Sequence, residues 1–207
     1  MSWWRARLSF IAVAILLPAT LLHAALPAPS PERAFLTGQL LIAAPVMTDP
    51  RFDRAVVLMV RHDRNGALGI IVNRPIEERS VASLLEALGG KDTAGVTASV
   101  RIFAGGPVQP EIGFVIHSAE YHRPGTIDID ARLAMTSSRE ILHDIGSNKG
   151  PARSLIAFGY AGWGPGQLEG EVEHRFWFMA PEDPGLVFDF DRDKLWDEAM
   201  KRRTQDL

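Results

Sequence analysis

The sequence predicts an α+β domain built on a mixed, largely antiparallel sheet. Three observations carry that prediction. About nine short apolar runs are separated by clusters of Gly, Pro, Asn and Asp. One Asn-Gly pair joins two of the runs at hairpin spacing. Only about three or four segments show helical periodicity, and they are scattered, whereas a doubly wound parallel sheet would alternate strand and helix throughout.

Taken in order, Gln39–Ala44 and Ala55–Val60 read as buried strands, with Pro45 and Asp49-Pro50 supplying loop chemistry between them. Arg64-Asn65-Gly66 then forms a turn from Ala55–Arg61 into Ala67–Val72, because Asn and Gly tolerate positive φ, and Pro75 ends that strand. Ser80 caps a helix through Leu84, Leu85 and Leu88 that stops at Gly89-Gly90. Strands follow at Val100–Ala104, Ile112–His117 and Thr126–Leu133. Ser137 and Glu140 have capping-box spacing for a second helix whose apolar face is Ile141, Leu142 and Ile145, closed by Gly146. Three more strands are expected at Ser154–Gly159, Phe176–Ala180 and Leu186–Phe190, with a short helix starting near Pro165 between the first two. A last helix, Asp193–Arg203, buries Leu195, Trp196, Ala199 and Met200 and ends in Lys201-Arg202-Arg203, the favourable sign for a helix C-terminus.

The chain of 207 residues, 46% hydrophobic and 23% charged, can bury a full core without metal or disulfide support. It has no cysteine, which excludes thiolate metal sites, disulfides and a thiol nucleophile. Residues 1–28 stand apart: Arg5 and Arg7 precede the uncharged run Leu8–Leu22, and Ala24, Ala25 and Ala28 offer small residues for cleavage. The run is shorter than the roughly 20 residues that span hydrocarbon, so a cleaved export signal is expected, with a periplasmic or exported product. An uncleaved anchor, the one route to membrane contact, and a misassigned start codon with a cytoplasmic product are the alternatives. Residues 29–35 read as a flexible lead-in and 36–207 as a single domain.

The 25 acidic residues outnumber the 22 basic ones, and loss of Arg5 and Arg7 with the leader widens the gap. Such a surface repels phosphate backbones, and no helix-turn-helix or zinc-finger spacing is present, so no specific nucleic-acid binding is expected. There is no HExxH, Gly146–Gly150 places its serine wrongly for a nucleophile elbow, and Gly159–Gly166 lacks the lysine and hydroxyl of a phosphate loop. The histidines are too dispersed along the chain to pre-assemble a metal site, and no metal or cofactor is expected.

Three segments do more than fill a core: His62–Gly69 leading into Asn73-Arg74-Pro75; Ala104-Gly105-Gly106-Pro107-Val108; and Gly159–Glu171, which contains Gly162-Trp163-Gly164-Pro165-Gly166-Gln167-Leu168-Glu169. Together with the opening Gly38–Pro45 they resemble the AlgH/YqgE family, from about Leu36 to Trp196. The resemblance implies a bifurcated sheet curled toward a pseudo-barrel, with three to four flanking helices. It implies no established activity, and the transcriptional-regulator label of some members comes without a DNA-binding motif here. The chain departs from that pattern in two ways: members are generally cytoplasmic, and Gly170 interrupts what resembles an acidic helix in relatives, at a cost of about 1 kcal/mol of helix propensity.

Two function classes follow. The first is a non-catalytic regulatory or protein-interaction domain in the cell envelope, with glycine-rich loops, Gly105 and Gly106 among them, presenting Arg74, Trp163 and Gln167 to a protein partner of unknown identity. The second is a small-ligand-binding domain or an enzyme of unrecognised type, with His62, Asn73, His117 and Glu169 converging on a pocket. Trp163 itself has two readings, a plug in the core or an exposed anchor for a partner.

Overall fold

The computed structural model describes residues 35–204 apart from 91, 92 and 94. Residues 1–28, expected from the sequence to be an export signal, and all of the expected lead-in 29–35 except Phe35, lie outside the described residues.

The elements are β1 (Gln39–Ala43), β2 (Val56–Asp63), β3 (Gly66–Ile71), β4 (Pro75–Ser80), α1 (Val81–Ala87), β5 (Ser99–Ala104), β6 (Val108–Ser118), β7 (Ile127–Asp128), β8 (Leu133–Thr136), α2 (Glu140–Gly146), β9 (Ser154–Trp163), α3 (Gln167–Glu173), β10 (Trp177–Pro181) and α4 (Leu195–Lys201). The main path of the sheet runs β10-β1-β2-β3-β9-β6-β8-β7, with β4 and β5 branching from β9. All pairings are antiparallel except β5 with β9.

Strands β1 and β2 are buried on both faces, which is why their sequences read as continuous apolar runs instead of alternating. Leu40, Ile42, Val56, Leu58 and Val60 face one core, completed by Leu186, Val187, Leu195 and Ala199. Leu41, Ala43, Val57 and Met59 face a second, which includes Trp163, Leu168 and Trp177. A third core packs α1 and α2 on β5, β6 and β9 through Leu84, Leu85, Ile141, Leu142, Val115 and Ile156.

Strand β9 divides the sheet. Its first half pairs with β5 and β6, while Ala161–Trp163 pair with β3. At the division three glycines interlock. A Cβ on Gly105 would stand 2.3 Å from the Gly159 carbonyl oxygen, one on Gly106 only 2.1 Å from the Tyr160 carbonyl carbon, and one on Gly159 2.4 Å from the Gly106 oxygen. Gly106 and Gly159 also hold φ of +154° and +75°. The Gly105-Gly106-Pro107 turn is therefore a close backbone approach that only glycine permits.

Several sequence expectations are corrected. Pro75 opens β4 instead of ending a strand. β4 pairs only with β5, so it is an edge strand whose first position tolerates a missing N–H. Leu186–Phe190 is not a strand: residues Gly185–Asp189 form a wide helical turn, with the Phe190 N–H donating to the Gly185 carbonyl at 3.0 Å. Asp183 accepts from the Gly185 N–H at 2.8 Å to start the turn, and Arg192 caps the Leu186 and Phe188 carbonyls. Thr126–Leu133 splits into the whole of the short strand β7 and the first residue of β8. The capping box at Ser137 does not form, because Arg139 occupies the N-cap position of α2 and the Ser138 hydroxyl is taken by Glu140. The helix expected near Pro165 starts at Gln167, and it runs through Gly170 without interruption. Ser80 does cap α1, accepting from the Ser83 N–H at 3.1 Å.

Candidate functional site

The four polar residues of the pocket reading occupy three separate places. His62 is buried, and its Nδ1 accepts from the Leu36 N–H at 3.1 Å. The ring proton therefore sits on Nε2, which faces Glu169 Oε1 at 3.3 Å. Phe35 stands edge-on to the ring, so this pair fastens the start of the domain to α3. His117 belongs to β6. Its Nδ1 donates to the Ser118 carbonyl, leaving Nε2 to accept the Thr136 hydroxyl at 2.9 Å, and Thr126 bonds to Thr136 in turn. Burial holds the His117 imidazole below its usual range. A histidine on a hydroxyl is the geometry of a base and its nucleophile, but both residues are 0% exposed, which withholds them from a substrate. Asn73 spans the chain locally, donating to the Arg54 carbonyl at 2.8 Å and accepting from the Val56 N–H at 2.9 Å.

The residues of the interaction reading come together. After β1, Asp49 caps a single 3₁₀ turn, Pro50–Phe52. Arg74 grips this turn from below, donating to the Arg51 carbonyl and, at 2.7 Å, to the Asp53 carbonyl. Burial lowers the Arg74 guanidinium from its ordinary range. Phe52 is thereby set over Trp163 at the end of β9, their rings near-parallel with centroids 6.4 Å apart. Between this turn, Pro107 and α3 lies a groove of about 250 Å³, with Trp163 and Gln167 on its wall. A neighbouring hollow of about 190 Å³ shares Arg51 and Pro107 with it and is lined by Arg74 and Gly106. Gly105, fully packed on β9, supports the turn without reaching the groove.

Trp163 is 7% exposed and fills the second core, while its indole edge reaches the groove. Its Nε1–H donates to Glu171 Oε2 at 2.9 Å, and the Nε1–H of Trp177 donates to the same oxygen at 2.8 Å. Gln167 donates to the other oxygen, Oε1, at 2.9 Å and accepts from the Gly164 N–H at 3.1 Å. Gln167 and Glu171 are one helical turn apart on the groove side of α3, whereas Glu169, two residues along, turns toward His62. Sequence reasoning missed Glu171, Phe52 and Arg51. The one signal available was the Gln-to-Glu spacing of four on a short helix.

A family model described as AlgH-like matches residues 40–207. The chain belongs to the AlgH-like family. AlgH-like relatives include a UPF0301 protein of Jannaschia sp. (strain CCS1), 46% identical over 168 residues, covering 80% of this chain and 87% of the relative. Another UPF0301 protein, from Sphingopyxis alaskensis, is 42% identical over 166 residues, covering 80% and 88%. The solution structure of the AlgH protein from Pseudomonas aeruginosa superposes with a TM-score of 0.72 at 35% identity, covering 84% of this chain and 92% of that one. It shares the AlgH-like architecture seen here, an antiparallel sheet curled into a half-barrel with several helices. A crystal structure of a protein from Corynebacterium diphtheriae, at 22% identity and TM-score 0.63, shares the fold. Among the described residues, no group of three or more His, Asp or Glu could hold a metal ion.

Proposed function

We propose that this chain is a non-catalytic protein-interaction domain of regulatory type, and that the groove between the Pro50–Phe52 turn, Pro107 and α3 is its binding face. One observation carries the reading: three segments far apart in sequence, which supply Arg74, Gly106-Pro107 and Gln167, converge on that groove and the hollow beside it. Their residues are spent on holding the walls. Arg74 and Asn73 fix the turn, the glycines lock Pro107 against β9, and Gln167 secures Glu171. Walls built from several elements and braced by such bonds form a preorganised recess, the usual setting for recognition. The chemistry that accompanies catalysis is supplied elsewhere or not at all: the His–Thr pair is sealed in the core, and the His62–Glu169 pair anchors the chain entry. We place the partner in the cell envelope on the strength of the leader-like residues 1–28.

The test is site-specific photo-crosslinking in cells, with the reactive residue at Thr48 on the groove or at Glu86 on the exposed face of α1. Thr48 is expected to give a discrete adduct that Glu86 does not. Excess unlabelled domain should compete it away, but a Thr48→Trp domain, whose larger side chain stands on the groove wall, should not. Equal adducts from both positions, or competition by Thr48→Trp as strong as by the unmodified domain, would refute the groove.

A further inference from the structure

Glu171 is a carboxylate without a counter-ion at the wall of this groove. Its four acceptor positions receive three neutral N–H groups, from Trp163, Trp177 and Gln167, which leaves one position on Oε1 open. No cation stands among its hydrogen-bond and ion-pair partners in the described residues. Arg51, the one Lys or Arg among the residues lining the groove, is already committed: its Nε lies 3.0 Å and its Nη2 2.7 Å from the two oxygens of Asp49, so that pair cancels. Around the carboxylate the walls are aromatic. Phe52 and Trp163 lie near-parallel, Trp177 meets both edge-on at 5.4 and 5.9 Å, and Phe176 closes one side.

An uncompensated negative charge walled by aromatic residues, in a recess large enough for a few heavy atoms, attracts an organic cation by Coulomb attraction in a partly dehydrated site. A compact ammonium on a flexible stem fits such a recess better than a planar guanidinium, whose fork needs both oxygens of a carboxylate. Here one oxygen, Oε2, is saturated by two indoles.

We propose that the groove takes the ammonium of a lysine side chain presented by the protein partner, with Glu171 as its counter-ion. This rests on the groove being the binding face. The indoles also supply the readout, since Trp163 and Trp177 both bond to Glu171 while Trp196 donates to the Ala43 carbonyl and serves as an internal control.

The experiment follows the indole N–H resonances of the domain during titration with an acetylated and amidated Gly-Lys-Gly tripeptide at low salt. The same tripeptide carrying Nε-acetyl-lysine is the uncharged control. The expected result is saturable shifts of Trp163 and Trp177 but not Trp196, with the acetyl-lysine peptide and the Glu171→Gln variant each weaker by about tenfold or more. Equal response to both peptides, or an undiminished response in a folded Glu171→Gln domain, would overturn the proposal. If Glu171→Gln fails to fold, the two peptides on the unmodified domain decide alone. If neither peptide binds while the Thr48 adduct persists, the lysine proposal falls and the groove stands; if the Thr48 adduct is also absent, both fall.

Discussion

Raising the pH from 5 to 8 should weaken the fold through one carboxyl group, Glu182, just past the end of β10. The residue is 7% exposed. Its Oε1 pairs with Arg132 and its Oε2 has no hydrogen-bond donor, while Asp130 faces it as a second carboxylate. Burial first, and then Asp130, push the Glu182 carboxyl up to about 7 from an ordinary 4.5, against the opposing pull of Arg132. Between pH 4.5 and 7 the folded chain therefore binds a proton that the unfolded chain has released, and stability falls with rising pH across that window. At 1.36 kcal/mol per unit the whole loss is at most about 3 kcal/mol, or roughly 6–12 °C in Tm for a domain of this size.

Glu182→Gln isolates the effect, because Gln resembles the protonated acid at every pH. Urea or thermal unfolding of both proteins from pH 5 to 8 is expected to show near-equal stability at the acid end. The variant should lead by about 3 kcal/mol at the alkaline end. His117, held neutral by burial, adds stability with rising pH on approach to its ordinary 6.5, but it does so in both proteins and drops out of the difference. Parallel pH curves for the two proteins, or a wild-type chain that gains on the variant as pH rises, would refute the reasoning.

Gly106→Ala should cost more than a typical substitution, roughly 3 kcal/mol or above, because its Cβ would meet the Tyr160 backbone at 2.1 Å; chemical denaturation measures it. Trp163→Ala should cost roughly 3–5 kcal/mol, since the ring fills a core and bonds to Glu171, and an unfolding curve that does not move would mean the ring is dispensable there. N-terminal sequencing of the native protein from fractionated cells is expected to find a periplasmic chain that begins just after residues 24–28, whereas a cytoplasmic product beginning near Leu36 would contradict export. A shift assay at moderate salt is expected to show no sequence-dependent retention of duplex DNA, given the acidic excess and the engagement of Arg202 by Asp183 and Glu198.

Local chemistry in the sequence was a good guide wherever one residue type decides the outcome. Ser80 reads as a cap and is one, and Asn65-Gly66 marks the β2–β3 turn, where Gly66 holds φ of +126° while Asp63 accepts from the Asn65 N–H. Reading failed where distant partners outweigh local preference. The Leu186–Phe190 run has strand composition, yet Arg192 reaches back to cap two of its carbonyls and holds it as a helical turn. Pro75 looks like a stop, and only the position of β4 at an edge makes it a start.

The candidate site was legible in the same uneven way. Trp163, Arg74, Gly106 and Gln167 stand out as unusual residues in glycine-rich surroundings, but nothing local says that they meet. The meeting depends on β9, which must leave β5 and β6 and join β3 within one strand, and the glycine interlock lets it do so. Glu171 was hidden for the opposite reason. Between Glu169 and Glu173 it resembles one more charge on a solvated helix face, and its distinction comes from Trp177, which β10 brings to the same oxygen that Trp163 reaches from β9. Two indoles aimed at one carboxylate oxygen cannot be inferred from spacing, since they arrive on strands separated by a helix. Once they are in place, the charge cannot turn away to water, and the groove keeps a fixed negative wall whether or not a partner is bound.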